Sequence, residues 1–328
     1  MRDRGAFPDW KWSQGGMSSA MIEVKDLVKN YGEHTAVDGI NFKVQKGEIF
    51  GFLGPNGAGK TTTLNILAGL SLPSSGVALI AGQDVTKHPI GCKKRLGIAT
   101  QDSNFDHHLN IKDNLFYQGL LYGISRKELK KRVEAALRWA KLEKYRKKRF
   151  HQLSGGMQRR LVVARAMLSD PEIILLDEPT TGLDPQSRRQ VWEYIKDLKE
   201  NGKTVLLTTH YMEEADILCD RISIIDHGRI IAYGTPDELK KILDNDIVID
   251  ISLNPEVVSE HIERDLNSIS GVNYVKIRNH EIRVGVNDDA VVEQVLISII
   301  AKNKITGINI IHPTLEDVFL HLTGREMR

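Results

Sequence analysis

The strongest chemical signal in the sequence is the segment 54–62, which fits the pattern G-x-x-x-x-G-K-[ST] of a phosphate-binding loop (P-loop). It follows an apolar, strand-like run at 49–53 and precedes an apolar helical pattern, so bound phosphates would lie at a helix N-terminus. Lys60 is placed to reach the β- and γ-phosphates of a nucleotide, and the Thr61 hydroxyl to bind Mg²⁺. The loop residues predicted to bind the nucleotide are Gly54, Pro55, Asn56, Gly57, Ala58, Gly59, Lys60, Thr61 and Thr62.

Two adjacent carboxylates follow a second apolar run. Residues 173–176 are four consecutive apolar residues without alternation, which indicates a strand buried on both faces of a parallel sheet. Asp177 and Glu178 then emerge at its carboxyl end, where open α/β sheets place their ligands. Asp177 suits Mg²⁺, directly or through water, and Glu178 suits the general base that polarises an attacking water.

Three further positions could contact a nucleotide. His210 ends the apolar strand 204–209 and can hydrogen-bond a γ-phosphate from there. Tyr31 lies between two short strands, where an aromatic ring could stack on adenine, although an ordinary loop tyrosine has the same spacing. Ser154 is a natural N-cap, and the two glycines after it expose free N–H groups at a second helix start that could bind an anion.

Taken in order, these motifs resemble the ATP-binding subunit (nucleotide-binding domain) of an ABC transporter over about residues 21–235. The matching motifs are the P-loop 54–62, the Q-loop glutamine Gln101, the signature 153–158, the Walker B run ending in Asp177-Glu178, the D-loop 182–184 and the switch His210.

The resemblance implies a role for each matching residue. Lys60, Glu178 and His210 would be catalytic, Gln101 would contact ATP together with Mg²⁺, and the cofactors would be ATP and Mg²⁺. Tyr31 matches the adenine-stacking aromatic, and Val37 the apolar contact after it. Two copies would pack head to tail, with Asp184 of the D-loop at their interface. The signature residues reaching the ATP of the opposite subunit would be Ser154, Gly155, Gly156, Met157 and Gln158.

The C-terminal ending 315–324 resembles ATPases of the ABC-2 export type, as do short stretches near residues 101 and 121. This likeness implies an ATPase that drives a separate integral-membrane permease from the inner face of the cell membrane, paired with itself or with a related ATPase subunit. Two alternatives stay open at this point: an importer ATPase subunit, and a soluble ABC ATPase acting in DNA repair or translation.

The resemblance also implies the fold class, an α/β P-loop NTPase of the ABC type. It combines a RecA-like parallel core, an antiparallel β subdomain and a helical subdomain at about 102–170. We expect a disordered leader at 1–20, an ATPase domain at 21–243 and a regulatory or interaction domain at 244–328. The last of these has the strand and helix order β-α-β-β-α-β, which is the ferredoxin-like arrangement. Its final helix carries one apolar stripe that either docks within the chain or meets a partner.

Composition limits the class of protein. The chain has 328 residues and a net charge of +2, which is too weakly basic to argue for a nucleic-acid partner. Two cysteines provide neither a disulfide framework nor a metal site, and a cytosolic protein fits best. No run approaches the ~20 apolar residues that a membrane-spanning helix needs. The segment 126–149 holds twelve Lys and Arg against three Glu, which predicts either a solvated face or a surface for anionic lipid.

Overall fold

The computed structural model describes residues 20–100, 105–243, 247–253, 262–278, 281–300 and 305–324. Most of the predicted leader and Gln101 therefore lie outside the described residues. The strands up to residue 243 are β1 (Ala20–Tyr31), β2 (His34–Gln45), β3 (Ile49–Leu53), β4 (Ser75–Ile80), β5 (Gln83–Asp84), β6 (Leu96–Ala99), β7 (Ile173–Asp177), β8 (Thr204–Thr209), β9 (Arg221–Asp226) and β10 (Arg229–Gly234). The helices of the same part are α1 (Lys60–Leu67), α2 (Pro89–Arg95), α3 (Ile111–Leu121), α4 (Arg126–Trp139), α5 (Gly155–Ala166), α6 (Pro185–Glu200), α7 (Met212–Leu218) and α8 (Pro236–Lys240).

The remainder of the chain adds four strands and three helices. They are β11 (Ile247–Leu253), α9 (Ile262–Asn267), β12 (Val272–Arg278), β13 (Glu281–Val286), α10 (Asp289–Ile300), β14 (Ile305–Ile311) and α11 (Leu315–Thr323).

A six-stranded sheet in the order β10-β9-β3-β8-β7-β6 forms the centre of the molecule. Its pairs from β9 to β6 are parallel, and β10 closes one edge in antiparallel pairing with β9. Every residue of β3, β7 and β8 is buried, because α5, α6 and α7 cover one face of the sheet, and α1 together with β1, β2 and β4 covers the other. This arrangement explains the unbroken apolar runs of these strands and confirms the predicted parallel core.

A second sheet, β2-β1-β4-β5, is antiparallel throughout. One of its faces packs on the central sheet through an apolar core that includes Phe42 and Phe52. The rings of these two residues pack edge to face, with their centroids 4.8 Å apart. The predicted antiparallel β subdomain is thus present, and the β1–β2 turn brings Tyr31 toward the phosphate-binding loop.

The helical region between β6 and β7 is a hairpin of α3 and α4 followed by α5. Asn110 caps α3: its side chain accepts a hydrogen bond from Asp113 N at 2.9 Å. The basic side chains of α4 lie mainly on its exposed side, and Glu134 bridges Lys112 and Arg146 across that surface. These exposed ion pairs are typical of a solvated face, which is one of the two predicted alternatives.

The C-terminal strands form a separate antiparallel sheet in the order β12-β13-β11-β14. This order, with α9 and α10 packed on the apolar face, is the ferredoxin-like arrangement that the strand and helix order predicted.

The last helix, α11, leaves the C-terminal sheet and packs against α7 and α8. Thr314 begins it with a capping box, and Leu315, Val318 and Phe319 are buried in the same apolar core as the central sheet. The apolar stripe predicted for this helix therefore docks within the chain.

Because Phe319 is fully buried, we expect Phe319→Ala to destabilise the protein. Removing a buried Phe side chain costs about 3–5 kcal/mol, which corresponds to a thermal midpoint lower by roughly 6–20 °C. Leu320→Ala is the matched control, since Leu320 is on the same helix and 42% exposed. Scanning calorimetry of the two variants checks this docking, and equal midpoints would contradict it.

Candidate active site

The candidate site is a cleft at the carboxyl edge of the central sheet, where β3, β7 and β8 end side by side. Leu53 of β3 lies opposite Thr209 of β8, so the segments that follow these strands start as neighbours. They carry the phosphate-binding loop, Glu178 and His210, and they border a cleft of about 640 Å³. The lining residues are Tyr31, His34, Ala36, Asn56, Gly57, Gly59, Lys60, Thr61, Thr62, Glu178, Thr181 and His210.

The glycines of the loop are required by its backbone path. Gly57 has a φ of +81°, and Gly59, which begins α1, has a φ of +106°. A Cβ atom on Gly59 would lie 2.5 Å from the carbonyl oxygen of Ala36, and one on Gly54 would lie 2.2 Å from that of Ile225. The loop is therefore wound closely against its neighbours, with the N-terminus of α1 facing the cleft.

The side chain of Lys60 lies inside the phosphate-binding loop and bonds to the start of the loop. Its side chain is almost fully buried, and Nζ donates to the carbonyl oxygens of Gly54 at 2.6 Å and Pro55 at 3.0 Å. Nζ also lies 3.5 Å from Glu178 Oε1. Burial lowers the pKa of Lys60, and the charge of Glu178 partly opposes that shift. The ammonium group is held where a negatively charged phosphate would replace the two carbonyl groups as its partner.

Asp177 and Thr61 bring two side-chain oxygens together beside the cleft, which Thr61 lines. Asp177 Oδ1 accepts hydrogen bonds from Thr61 Oγ1 at 3.1 Å and from Thr208 Oγ1 at 2.6 Å. Carboxylate and hydroxyl oxygens are the hard donors that Mg²⁺ takes, and it keeps several waters beside them. The two side chains therefore fit the ion that the sequence implies.

Glu178 is held by three side chains. Thr181 Oγ1 donates to its Oε2 at 2.9 Å, while Oε1 lies 3.5 Å from Lys60 Nζ and 3.3 Å from His210 Nδ1. Burial alone would raise the pKa of Glu178, but the hydrogen bond from Thr181 and the charges of Lys60 and His210 hold it below its ordinary value. The ionised carboxylate faces the cleft and can accept a proton from water.

Three contributors to this site were not predicted from the sequence. Thr181 and Thr208 hold the two carboxylates, and Arg159 of α5 holds the backbone behind them. The Arg159 guanidinium donates to the carbonyl oxygens of Pro179 (2.7 Å), Thr100 (3.0 Å) and Asp177. Its position in the helix after the signature gives no sign of contacts with β6 and β7, because those contacts depend on tertiary packing.

The predicted signature and D-loop residues lie away from the cleft lining. Ser154 caps α5 by accepting from Met157 N at 3.4 Å, and Ser154 and Gly155 are exposed. Gly156 packs so closely on Ser187 that a Cβ there would lie 2.7 Å from the hydroxyl oxygen. Asp184 caps α6 through Ser187 N at 2.9 Å. The start of α5 is thus exposed at Ser154 and Gly155, whereas Gly156 is covered by α6.

The remaining predicted site residues differ in their placement. Tyr31 lines the cleft and is 51% exposed, as a stacking platform requires. Val37 is fully buried and does not line it, although its neighbour Ala36 does. Gln158 directs its side chain inward and donates to the carbonyl oxygens of Phe150 and Leu153.

Comparison with known proteins identifies the family. Residues 37–181 match the ABC transporter family, and residues 234–323 match the C-terminal domain of DrrA1-3-like ATP-binding proteins. The chain is 40% identical over 313 residues to the Nod factor export ATP-binding protein I of Cupriavidus metallidurans, covering 94% of this chain and 99% of that protein. The chain belongs to the ABC transporter family. It is one of the family's ATP-binding subunits and an ATPase.

A second relative extends the likeness beyond one type of transporter. The ABC subunit is 38% identical to the linearmycin resistance ATP-binding protein LnrL of Bacillus subtilis, covering 94% of this chain and all of that protein. Both relatives include the C-terminal region, so the similarity is not confined to the ATPase motifs.

Solved structures match the ATPase part of the ABC subunit. One is cbiO1 of Clostridium perfringens, part of an ABC transporter complex, with a TM-score of 0.63 and 28% identity over 68% of this chain and 91% of that one. Another is a dimeric ATP-binding cassette in a post-hydrolysis state with ADP and Pi, with a TM-score of 0.60 and 29% identity over 66% of this chain and 98% of that one. Within the part of the ABC subunit that the structure describes, no helix is both long and apolar enough to span a bilayer.

Proposed function

We propose that this chain is the ATP-hydrolysing subunit of an exporter and that two copies enclose two ATP molecules between them. The observation that carries the proposal is the convergence of Lys60, Glu178 and His210 on one cleft beside a phosphate-binding loop. Asp177 joins them through its hydrogen bond with Thr61, which lines the same cleft. The named relatives act in Nod factor export and linearmycin resistance, which favours an exporter over an importer ATPase or a soluble ATPase of DNA repair or translation.

ATP binding would use the loop and the exposed ring beside it. The N–H groups at the start of α1 and the Lys60 ammonium would hold the phosphates, which are stabilised at a helix N-terminus. The Tyr31 ring would stack on adenine. Thr61, Asp177 and Gln101 would hold Mg²⁺, which when bound neutralises phosphate charge.

Hydrolysis would depend on positioning and charge. Glu178 would orient the attacking water and accept its proton, since its carboxylate is ionised and faces the cleft. His210, at ion-pair distance from Glu178, would hold the γ-phosphate, and Lys60 would stabilise its negative charge.

A second copy would complete each site. Ser154 and Gly155 are exposed at the start of α5 and do not line the cleft of their own chain, so they are available to the ATP of a head-to-tail partner. Such a two-fold arrangement is closed and uses the same surface twice. The partner is this chain or a related ATPase subunit, and Asp184 would lie near the contact.

The coupled partner would be an integral-membrane permease, reached from the cytoplasmic face of the membrane. The test is to purify the tagged full chain from detergent-solubilised native membranes and to identify the proteins that come with it. We expect a multispanning protein without an ATPase cassette, which raises the ATPase rate of the chain when both are reconstituted in vesicles. Recovery of only soluble factors or nucleic acid would contradict the exporter function.

The hydrogen bond from Thr181 gives a pH-dependent prediction. Glu178 acts as a base only when ionised, so activity is lost as the pH falls through its lowered pKa. Thr181→Val removes a hydrogen bond that favours the ionised form, so the pKa rises and the acid limb of the kcat profile moves to higher pH.

A surface pair provides the matched control for this prediction. Thr86 donates a similar hydrogen bond, of 2.6 Å, to Asp84 away from the cleft. Thr86→Val should leave the profile of kcat against pH unchanged. A Thr181→Val profile that coincides with that of the wild type would show that this bond does not set the titration.

A further inference from the structure

Glu214 is a buried acidic side chain that the proposed mechanism does not use. It lies on α7, four residues after His210, and it is fully enclosed. Among the described carboxyl side chains, only Asp177 is comparably buried. Burial raises the pKa of Glu214. A carboxyl group removed from water is costly unless its oxygens make hydrogen bonds, so its partners indicate why it is there.

One oxygen of Glu214 joins two other segments of the site. Oε1 accepts a hydrogen bond from Thr180 Oγ1 at 2.8 Å and another from Trp192 Nε1 at 3.0 Å. Thr180 is fully buried and lies two residues after Glu178. Trp192 is on α6, which begins at the D-loop cap Asp184. The helix after the switch histidine is thereby tied to Thr180 within the turn 178–184 and to α6, the helix that follows this turn.

This turn needs external support because Glu178 has a φ of +46°. Such a conformation is unfavourable for a non-glycine residue and persists only where the surroundings enforce it. Arg159 of α5 anchors Pro179 through its carbonyl oxygen at 2.7 Å. Glu214 anchors the next residue, Thr180, from α7. Consecutive residues after Glu178 are therefore fixed by two different helices.

We propose that Glu214 is a positioning residue for ATP hydrolysis. Through its hydrogen bonds with Thr180 and Trp192, it fixes the position of the turn that carries Glu178 and the D-loop relative to His210. The inference rests on the role proposed above for Glu178. Glu214 itself does not line the cleft, so its effect is on turnover rather than on nucleotide binding.

The test replaces Thr180 with valine, which keeps the shape of the side chain and removes the donor. We expect kcat to fall about tenfold or more, because small displacements of a catalytic group are costly. The affinity for ATP should stay within about twofold, since the phosphate-binding loop and Tyr31 are untouched. Glu214→Gln keeps an oxygen that accepts both hydrogen bonds, so it should keep kcat within about threefold of the wild type.

Thr204→Val is the matched control. Thr204 is also fully buried, but its hydroxyl accepts from Gly47 N at 3.0 Å at the start of β8, away from the cleft. It should lower thermal stability and leave kcat unchanged. If the Thr180–Glu214 contact were merely structural, Thr180→Val would also lower thermal stability and leave kcat unchanged.

The outcomes separate this inference from the proposed function. The positioning role is overturned if Thr180→Val keeps the kcat of the wild type. It is also overturned if Glu214→Gln loses as much kcat as Thr180→Val. Neither outcome affects the proposal that the chain hydrolyses ATP. An active Glu178→Gln variant would instead overturn the role of Glu178, and with it the proposed mechanism.

Discussion

Replacing Glu178 with glutamine is expected to lower kcat for ATP hydrolysis by about 100-fold or more, the range that general-base catalysis contributes. Glutamine has the same shape and its amide oxygen can still accept from Thr181, but it does not take a proton from water. The affinity for ATP should be retained, because Lys60 and the loop are unchanged. Bound ATP should then persist and increase the population of the dimer.

Three measurements on purified Glu178→Gln check this expectation: steady-state hydrolysis, binding of a fluorescent ATP analogue, and light scattering with and without ATP. Glu213→Gln is the matched control, since Glu213 is an exposed glutamate on α7 close to the switch histidine. It should behave as the wild type. Retention of more than a tenth of kcat in Glu178→Gln would remove Glu178 from the role of general base.

Lys60→Ala is the second substitution with a large expected effect. A hydrogen bond to a charged group contributes about 1.5–3 kcal/mol, so the Kd for ATP should rise roughly 10- to 150-fold. Hydrolysis should fall further, because Lys60 also stabilises charge that develops on the phosphate. Removing Nζ additionally frees the carbonyl groups of Gly54 and Pro55, which loosens the loop.

Binding of ATP by titration calorimetry measures the effect of Lys60→Ala. Lys46→Ala is the control, because Lys46 is an exposed lysine in the turn before β3 and should leave the Kd unchanged. Equal affinity of Lys60→Ala and the wild type for ATP would contradict the assignment of residues 54–62 as the phosphate-binding site.

The parts of the site that the sequence predicted are those encoded in short segments. The spacing of the phosphate-binding loop and the apolar runs before Asp177 and His210 place each group at the end of a parallel strand. Parallel strands end at a common edge, so local patterns were enough to bring these groups together. The ferredoxin-like order of the C-terminal strands was predictable for a similar reason, since the element order restricts the possible sheets.

The parts that escaped prediction depend on contacts between distant segments. Arg159 and Glu214 lie in helical patterns whose spacing is compatible with an ordinary surface position, and only packing shows that they hold the turn after Glu178. The burial of Val37 likewise depends on how the antiparallel sheet lies on the central one. Such long-range hydrogen bonds and burial leave no periodic pattern in the sequence.

The docking of α11 changes how the C-terminal sheet is connected. The chain leaves the ATPase part after α8 and returns through α11, which packs on α8 itself and on α7. In topology, the C-terminal sheet is an insertion between α8 and α11, two helices that contact each other, so it is connected to the ATPase part on both sides. The two attachment points of the sheet are α8 and α11, and α11 also contacts α7, the helix that begins two residues after His210. The packing of α11 therefore joins the C-terminal sheet to the helix that follows the switch histidine.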